Sequence, residues 1–187
     1  MFDISHCFPT LIGVLIKGKI DDKKVNEYRK YIMENDIYID ALKETYLPIT
    51  EENRNRIKPY FNKFILSTIK DNVRNQKWAD ENNDPELFKG VVNFFKNKFP
   101  EVYDFIWNYE TADRIVKGKN GKLIKKKVKI LAHHLQIIEK MIIDELCKLI
   151  KDIPYITLHD AIYVAEENLS HVADINFEKE FRKIINF

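Results

Sequence analysis

Asp3, Asp160, Arg54 and Lys58 have types and spacing suited to one reaction. His159 and Asp160 form a dipeptide between two β-prone runs, 155–158 and 161–165, and Pro154 punctuates the approach. This pattern describes a tight hairpin with an acid at its tip. A strand turn fixes the direction of carboxylate oxygens, as a metal site requires; a solvated turn in which Asp160 caps its own backbone fits the same residues. Asp3 is a second acid at an expected strand end. If the two strands are neighbours, both carboxylates converge on one spot, where they repel unless a cation sits between them. Two Mg²⁺ ions roughly 3.5–4 Å apart can bridge such a pair, one activating an attacking hydroxyl and the other stabilising a leaving pyrophosphate. Arg54 and Lys58 stand four residues apart, hence on one helix face, and can neutralise a triphosphate. Acids, metal and cations together are the parts of phosphoryl transfer, which asks mainly for positioning and charge.

The elements that must position these residues are legible in outline. Residues 1–5 read as the end of a strand, and 8–16 as a helix with Pro9 in its first turn. Residues 23–35 carry Val25, Tyr28 and Ile32 at helical spacing, and 37–42 bring the apolar positions back. Thr50 can cap a helix that starts in Glu51 and Glu52. That helix carries Arg54, Arg56, Lys58, Lys63 and Lys70 interleaved with Ile57, Phe61, Phe64, Ile65 and Ile69, so one face is basic and the other apolar. A solvated surface helix has the same pattern. Residues 72–85 are polar and poorly patterned, as a loop or a broken helix would be. An aromatic helix over 86–99 ends at Pro100, and a short helix follows over 102–109.

Residues 114–124 form an expected hairpin with Asn120-Gly121 at its turn. Lys117, Lys119, Lys122, Lys125, Lys126, Lys127 and Lys129 crowd this ribbon and its second arm. Lysines defend exposed strand edges, and they also track phosphate backbones; both readings fit. Residues 130–151 have helical spacing, with Gln136 and Glu139 polar inside the pattern, and 177–187 form a short amphipathic helix. The expected fold is α+β with few strands.

Composition bounds the rest. The 187 residues are 45% hydrophobic and 32% charged with a net charge of +2, as in an ordinary globular protein. Cys7 and Cys147 are the only cysteines, which excludes a disulfide framework and suits a reducing, cytoplasmic setting. The apolar run 8–16 is too short to span a bilayer and lacks the cationic flank of a signal peptide, so no membrane partner is expected. No Cys/His spacing supports zinc, and His133 and His134 read as helix-surface residues.

In order, these pieces resemble the palm and fingers of family A DNA polymerases. Asp3-Ile4-Ser5-His6-Cys7-Phe8 looks like the family's first catalytic motif, and Asp36-Ile37-Tyr38 resembles the Asp-Ile-His that follows it. Arg54 and Lys58 match the spacing of the two nucleotide-binding cations on the fingers helix. Residues 93–102 resemble the aromatic segment after that helix, Leu135-Gln136 falls where the family carries a template-side Gln, and Leu158-His159-Asp160 resembles the last catalytic motif. Departures stand beside these likenesses. Ala161 replaces the family's Glu after His-Asp, Phe8 replaces the acid closing the first motif, and Leu66-Ser67 replaces an aromatic-Gly helix ending.

The resemblance implies a single palm-fingers-like unit over 1–187: a first palm motif in 1–20, a helical fingers-like part in 50–110, and a basic hairpin, helix and second palm motif in 111–187. It implies a small antiparallel palm-like sheet without thumb or exonuclease regions, and a partner chain supplying a thumb-like region is an open option. The implied activity is template-directed addition of nucleotides to a primer 3′ end, with two Mg²⁺ held by Asp3 and Asp160 and the triphosphate held by Arg54 and Lys58. Phe8 would exclude a ribose 2′-hydroxyl by bulk, while Gln136, His159 and the lysine ribbon would contact a DNA primer–template. Single-subunit phage RNA polymerases share the Asp, Arg/Lys and His-Asp layout, so the resemblance fixes reaction type more firmly than sugar. A non-catalytic nucleic-acid-binding module, a polymerase remnant and a structural helical protein kept soluble by its lysines are the competing expectations.

Overall fold

The computed structural model describes residues 2–3, 7–67, 85–117, 120–158 and 161–185, with the backbone alone at 2–3. Along the chain the elements are β1 (Phe2–Asp3), α1 (Cys7–Leu15), α2 (Asp22–Glu34), α3 (Ile37–Lys43), α4 (Glu51–Leu66), α5 (Pro85–Lys98), α6 (Pro100–Trp107), β2 (Thr111–Lys117), β3 (Leu123–Lys129), α7 (Leu131–Cys147), a 3₁₀ turn at Lys148–Ile150, β4 (Tyr155–Leu158), β5 (Ala161–Val164), a 3₁₀ turn at Glu166–Asn168, α8 (Leu169–Val172) and α9 (Phe177–Ile184). The fold is mixed α+β. Two compact units divide it: Ile16–His133, and Met1–Leu15 with His134–Phe187.

In the Ile16–His133 unit, side-chain caps set where helices begin. Asp21 Oδ1 accepts from the backbone N–H of Lys23 and Lys24 at 3.0 and 3.2 Å. Asp36 Oδ1 accepts from Tyr38 and Ile39 at 3.0 and 3.1 Å. Thr50 Oγ1 accepts from Asn53 at 3.2 Å, with Glu51 and Glu52 in the first turn of α4 where the helix dipole favours them. The expected Thr50 cap is therefore present. Pro59 sits inside α4 and cannot donate to the Asn55 carbonyl. Both residues lie on the exposed side, where water can satisfy that carbonyl.

The apolar face of α4 closes on an aromatic core. The Phe61 ring centroid lies 6.0 Å from Phe94 and 5.8 Å from Phe95, and Phe64 stacks on Tyr103 at 5.8 Å. Such ring pairs add about 0.5–1.5 kcal/mol each beyond the area they bury. Gly90 lets α5 approach α3 closely: a Cβ there would lie 2.4 Å from Thr45 Cγ2 and 2.8 Å from the Ala41 carbonyl oxygen.

Strands β2 and β3 form an antiparallel ribbon of seven register pairs, from Thr111↔Lys129 to Lys117↔Leu123. Asn120 and Gly121 thus lie in a connection running over 118–122 rather than in a two-residue turn, and 118–119 are outside the described residues. Gly121 has φ +77°, and Lys122 N–H donates to Asn120 Oδ1 at 3.2 Å. The ribbon belongs to the same unit as α2 to α6.

The second unit contains a three-stranded antiparallel sheet in the order β1-β5-β4. β5 is central: Phe2 pairs with Ile162 and Asp3 with Ala161 on one side, and Tyr155 pairs with Val164 through to Leu158 with Ala161 on the other. Ala161 and Ile162 are buried, as are Leu11 and Ile12 of α1, Leu135, Ile142 and Leu146 of α7, and Phe181 of α9. The helix expected over 130–151 ends at Cys147 and tightens into the 3₁₀ turn, and the tail helix stops at Ile184 rather than 187. The helix of Arg54 ends at Leu66, and Ser67 is extended at φ −88°, ψ 148°. Ile69, Lys70 and most of the polar stretch 72–85 lie outside the described residues; Pro85 opens α5.

Candidate functional site

In the helical unit, Arg54 and Lys58 share one face of α4, as their spacing requires, and both rest on one ring. The Arg54 guanidinium carbon and the Lys58 ammonium nitrogen each lie 5.6 Å from the Tyr38 ring centroid. Tyr38 is itself held edge-on by Phe61, with centroids 5.0 Å apart. An aromatic face attracts cations by about 0.5–1 kcal/mol at partly exposed sites, so Tyr38 orders two side chains that would otherwise roam. Sequence reasoning gave Tyr38 no role of its own; its place in Asp36-Ile37-Tyr38 was the available signal.

The two cations differ in what else they hold. Arg54 Nε donates to Asp36 Oδ2 at 2.7 Å, and one Nη lies 3.5 Å from Glu51 Oε1. Lys58 Nζ donates to the neutral Asn55 Oδ1 at 2.8 Å. Partial burial pushes the Asp36 carboxyl up, but the Arg54 hydrogen bond, the N–H groups of Ile39 and Tyr38 and the Arg54 charge outweigh it, and the carboxyl stays below the usual range. The same hydrogen bond holds the Arg54 guanidinium above its ordinary value. Asp36 thus caps α3 and orients Arg54 at once, and an anion arriving at Arg54 must share it with this carboxylate.

Lys129 departs from the other lysines of the ribbon. It is only 5% exposed, and its Nζ donates to the Ile106 carbonyl at 2.7 Å and the Ile65 carbonyl at 3.3 Å. Those carbonyls belong to the last turns of α6 and α4, where helix dipoles favour a cation. Burial pulls the Lys129 ammonium down to about 8. This side chain pins the base of the ribbon to two helix ends and has no part in a solvent-facing basic surface.

Register also splits the remaining lysines. Asp113, Ile115, Lys117, Leu123, Lys125 and Lys127 occupy one face of the ribbon, whereas Arg114 and Lys126 stand opposite one another on the other face. Lys122 lies in the connection and is exposed; Lys119 is outside the described residues. Asp113 Oδ2 lies 2.9 Å from Lys125 Nζ.

In the sheet unit, Asp3 pairs across the ladder with Ala161, the residue that follows Asp160 in the chain. β1 and β5 are thus neighbours in the sheet. The Asp3 side chain, His159 and Asp160 lie outside the described residues. Among the described residues no group of three or more His, Cys, Asp or Glu side chains could hold a metal ion. Phe8 is half-buried in the first turn of α1, and Gln136 is exposed on α7. Among the described residues no helix is long and apolar enough to cross a membrane. Comparison with protein-family models, with curated proteins and with solved structures found no match.

Proposed function

We propose that this chain carries out two-metal nucleotidyl transfer of the DNA polymerase kind, adding nucleotides to a primer 3′ end on a template. The observation that carries this reading is the pairing of Asp3 with Ala161 in the order β1-β5-β4. Paired residues across an antiparallel ladder have Cα atoms about 4.5–5.5 Å apart, and one chain step, about 3.8 Å, leads from Ala161 to Asp160. Asp3 and Asp160 would hold two Mg²⁺ ions. The donor set suits that metal: both are carboxylates, hard oxygen ligands, with no thiolate or imidazole required. Bound there, the ions would activate the attacking hydroxyl and neutralise the departing pyrophosphate.

The protein's own groups do the rest. Arg54 and Lys58, ordered on the Tyr38 ring, take the triphosphate, with Arg54 exchanging part of its Asp36 contact for phosphate oxygens. Phe8 sits against the sugar and excludes a 2′-hydroxyl, while Gln136 and His159 contact the duplex near the primer end. The Asp3 and Ala161 register supports a palm-like assignment for the sheet, and the caps and aromatic core of the helical unit support a fingers-like one. The test is primer–template extension with deoxynucleoside triphosphates and Mg²⁺; a wild-type chain that extends no primer at any salt sinks the reading. A second reading, a non-catalytic nucleic-acid-binding module, is favoured by the exposed cations of the β2–β3 ribbon. Binding that persists without extension selects it.

A further inference from the structure

We infer that the β2–β3 ribbon is a docking arm for duplex DNA, entering the major groove with Lys117, Lys122 and Lys127 against phosphates. It deepens the nucleic-acid part of the reading above and needs none of its metal chemistry. Most residues of both strands are exposed, yet the ribbon carries large apolar side chains: Ile115 is 69% exposed and Leu123 is 74% exposed, both on the face of Lys117 and Lys127. A two-stranded ribbon is marginally stable by itself in water. Here its base is secured by the Lys129 ammonium between two helix ends and by the Ile130 N–H, which donates to the Glu110 carbonyl at 3.1 Å. The arm is anchored at one end and open over the rest.

Charge selects the occupant. With Lys125 answered by Asp113, the face still presents Lys117 and Lys127, with Lys122 at the tip, which fits a polyanion. The B-form major groove admits a two-stranded ribbon, whereas the deep, narrow major groove of duplex RNA does not. Ile115 and Leu123 would then lie in the groove, where apolar side chains can meet thymine methyls.

The experiment measures binding of the full chain to a short blunt DNA duplex by fluorescence anisotropy, over roughly 50–200 mM salt. The variant Lys117→Gln/Lys122→Gln/Lys127→Gln is compared with a control of equal charge change, Lys17→Gln/Lys19→Gln/Lys96→Gln, also on exposed lysines. Each phosphate contact contributes about 0.9 to the slope of log affinity against log salt. The ribbon variant should therefore lose between two and three from the magnitude of that slope, roughly, and the control should lose little. Equal losses in both variants, or an unchanged slope in the ribbon variant, overturn the proposal, as does ribbon-dependent binding of duplex RNA as tight as that of DNA. If a second copy of the chain covers the ribbon instead, sedimentation shows the variant shifting in mass with its slope unchanged, which also overturns it. Duplex binding is read without Mg²⁺ or primer extension, so failure of the catalytic reading and failure of this one give different results.

Discussion

Arg54 Nε and Asp36 Oδ2 lie 2.7 Å apart, which joins the first turn of α4 to the N-cap of α3. The pair orients the guanidinium beside Lys58 but also occupies one edge of it. Arg54→Ala and Lys58→Ala should each weaken binding of a Mg²⁺–deoxynucleoside triphosphate by about tenfold or more, the worth of a charge-assisted hydrogen bond. Stability should change by less than about 1 kcal/mol, because the pair is partly exposed. Asp36→Asn keeps the cap and releases Arg54, so triphosphate binding should tighten. Fluorescence titration checks all three, and wild-type affinity in both alanine variants would remove α4 from the nucleotide site.

Phe8 is the residue assigned to the sugar. Phe8→Ala should erode the preference for deoxynucleotides over ribonucleotides while leaving extension with deoxynucleotides measurable. The readout is the ratio of kcat/KM for the two triphosphates on one primer–template. A ratio identical to wild type means that Phe8 does not meet the sugar.

Gly90 tests the packing of α5 on α3. Alanine is favoured over glycine inside a helix by about 1 kcal/mol, but here its Cβ would press on the Ala41 carbonyl, and overpacking costs about 1–3 kcal/mol. Because the obstacle includes backbone, the clash should win and Gly90→Ala should unfold at lower urea concentration than wild type. A stabilised variant would mean that α3 and α5 can part without cost.

Lys129 links stability to pH. Its folded value of about 8 lies below the ordinary 10.5, so between those values the unfolded chain binds a proton that the folded one lacks. Stability should rise with pH from about 8 toward 10, by at most about 1.4 kcal/mol per unit. Tyr28 and Tyr31 are both held above their ordinary values, first by burial, so the folded state keeps phenol protons that the unfolded chain loses and stability falls beyond about pH 10. Lys129→Met should abolish the rise between pH 8 and 9.5 in urea unfolding. A rise that survives the substitution assigns it to other groups.

What could be read from the chain alone followed local rules. Thr50 before two acids, the β-prone runs on either side of His159-Asp160, and the aromatic periodicity ending at Pro100 each have a local cause, and each appears in the structure. Lys129 and Tyr38 were not legible in this way. Lys129 continues the alternation of Lys125 and Lys127, and only the arrival of two helix ends at the base of the ribbon turns it from a surface cation into a buried strut. Tyr38 gains its place from Phe61, twenty-three positions away, and from cations on a different helix. The face split among the ribbon lysines depends on a register that a lysine-rich sequence with few apolar markers specifies weakly. For the acids, the order β1-β5-β4 makes neighbours of β1 and β5, a pairing across more than 150 residues that no local pattern encodes.

The central claim is that Asp3 and Asp160 hold the metals of nucleotidyl transfer, and the most direct measurement is Mg²⁺-dependent primer extension by wild type, Asp3→Asn and Asp160→Asn at equal duplex occupancy. Both substitutions keep size and remove charge. Wild type should extend the primer until Mg²⁺ is chelated, and each variant should extend below detection while circular dichroism and duplex binding stay as in wild type. Extension by Asp160→Asn at the wild-type rate would contradict the claim.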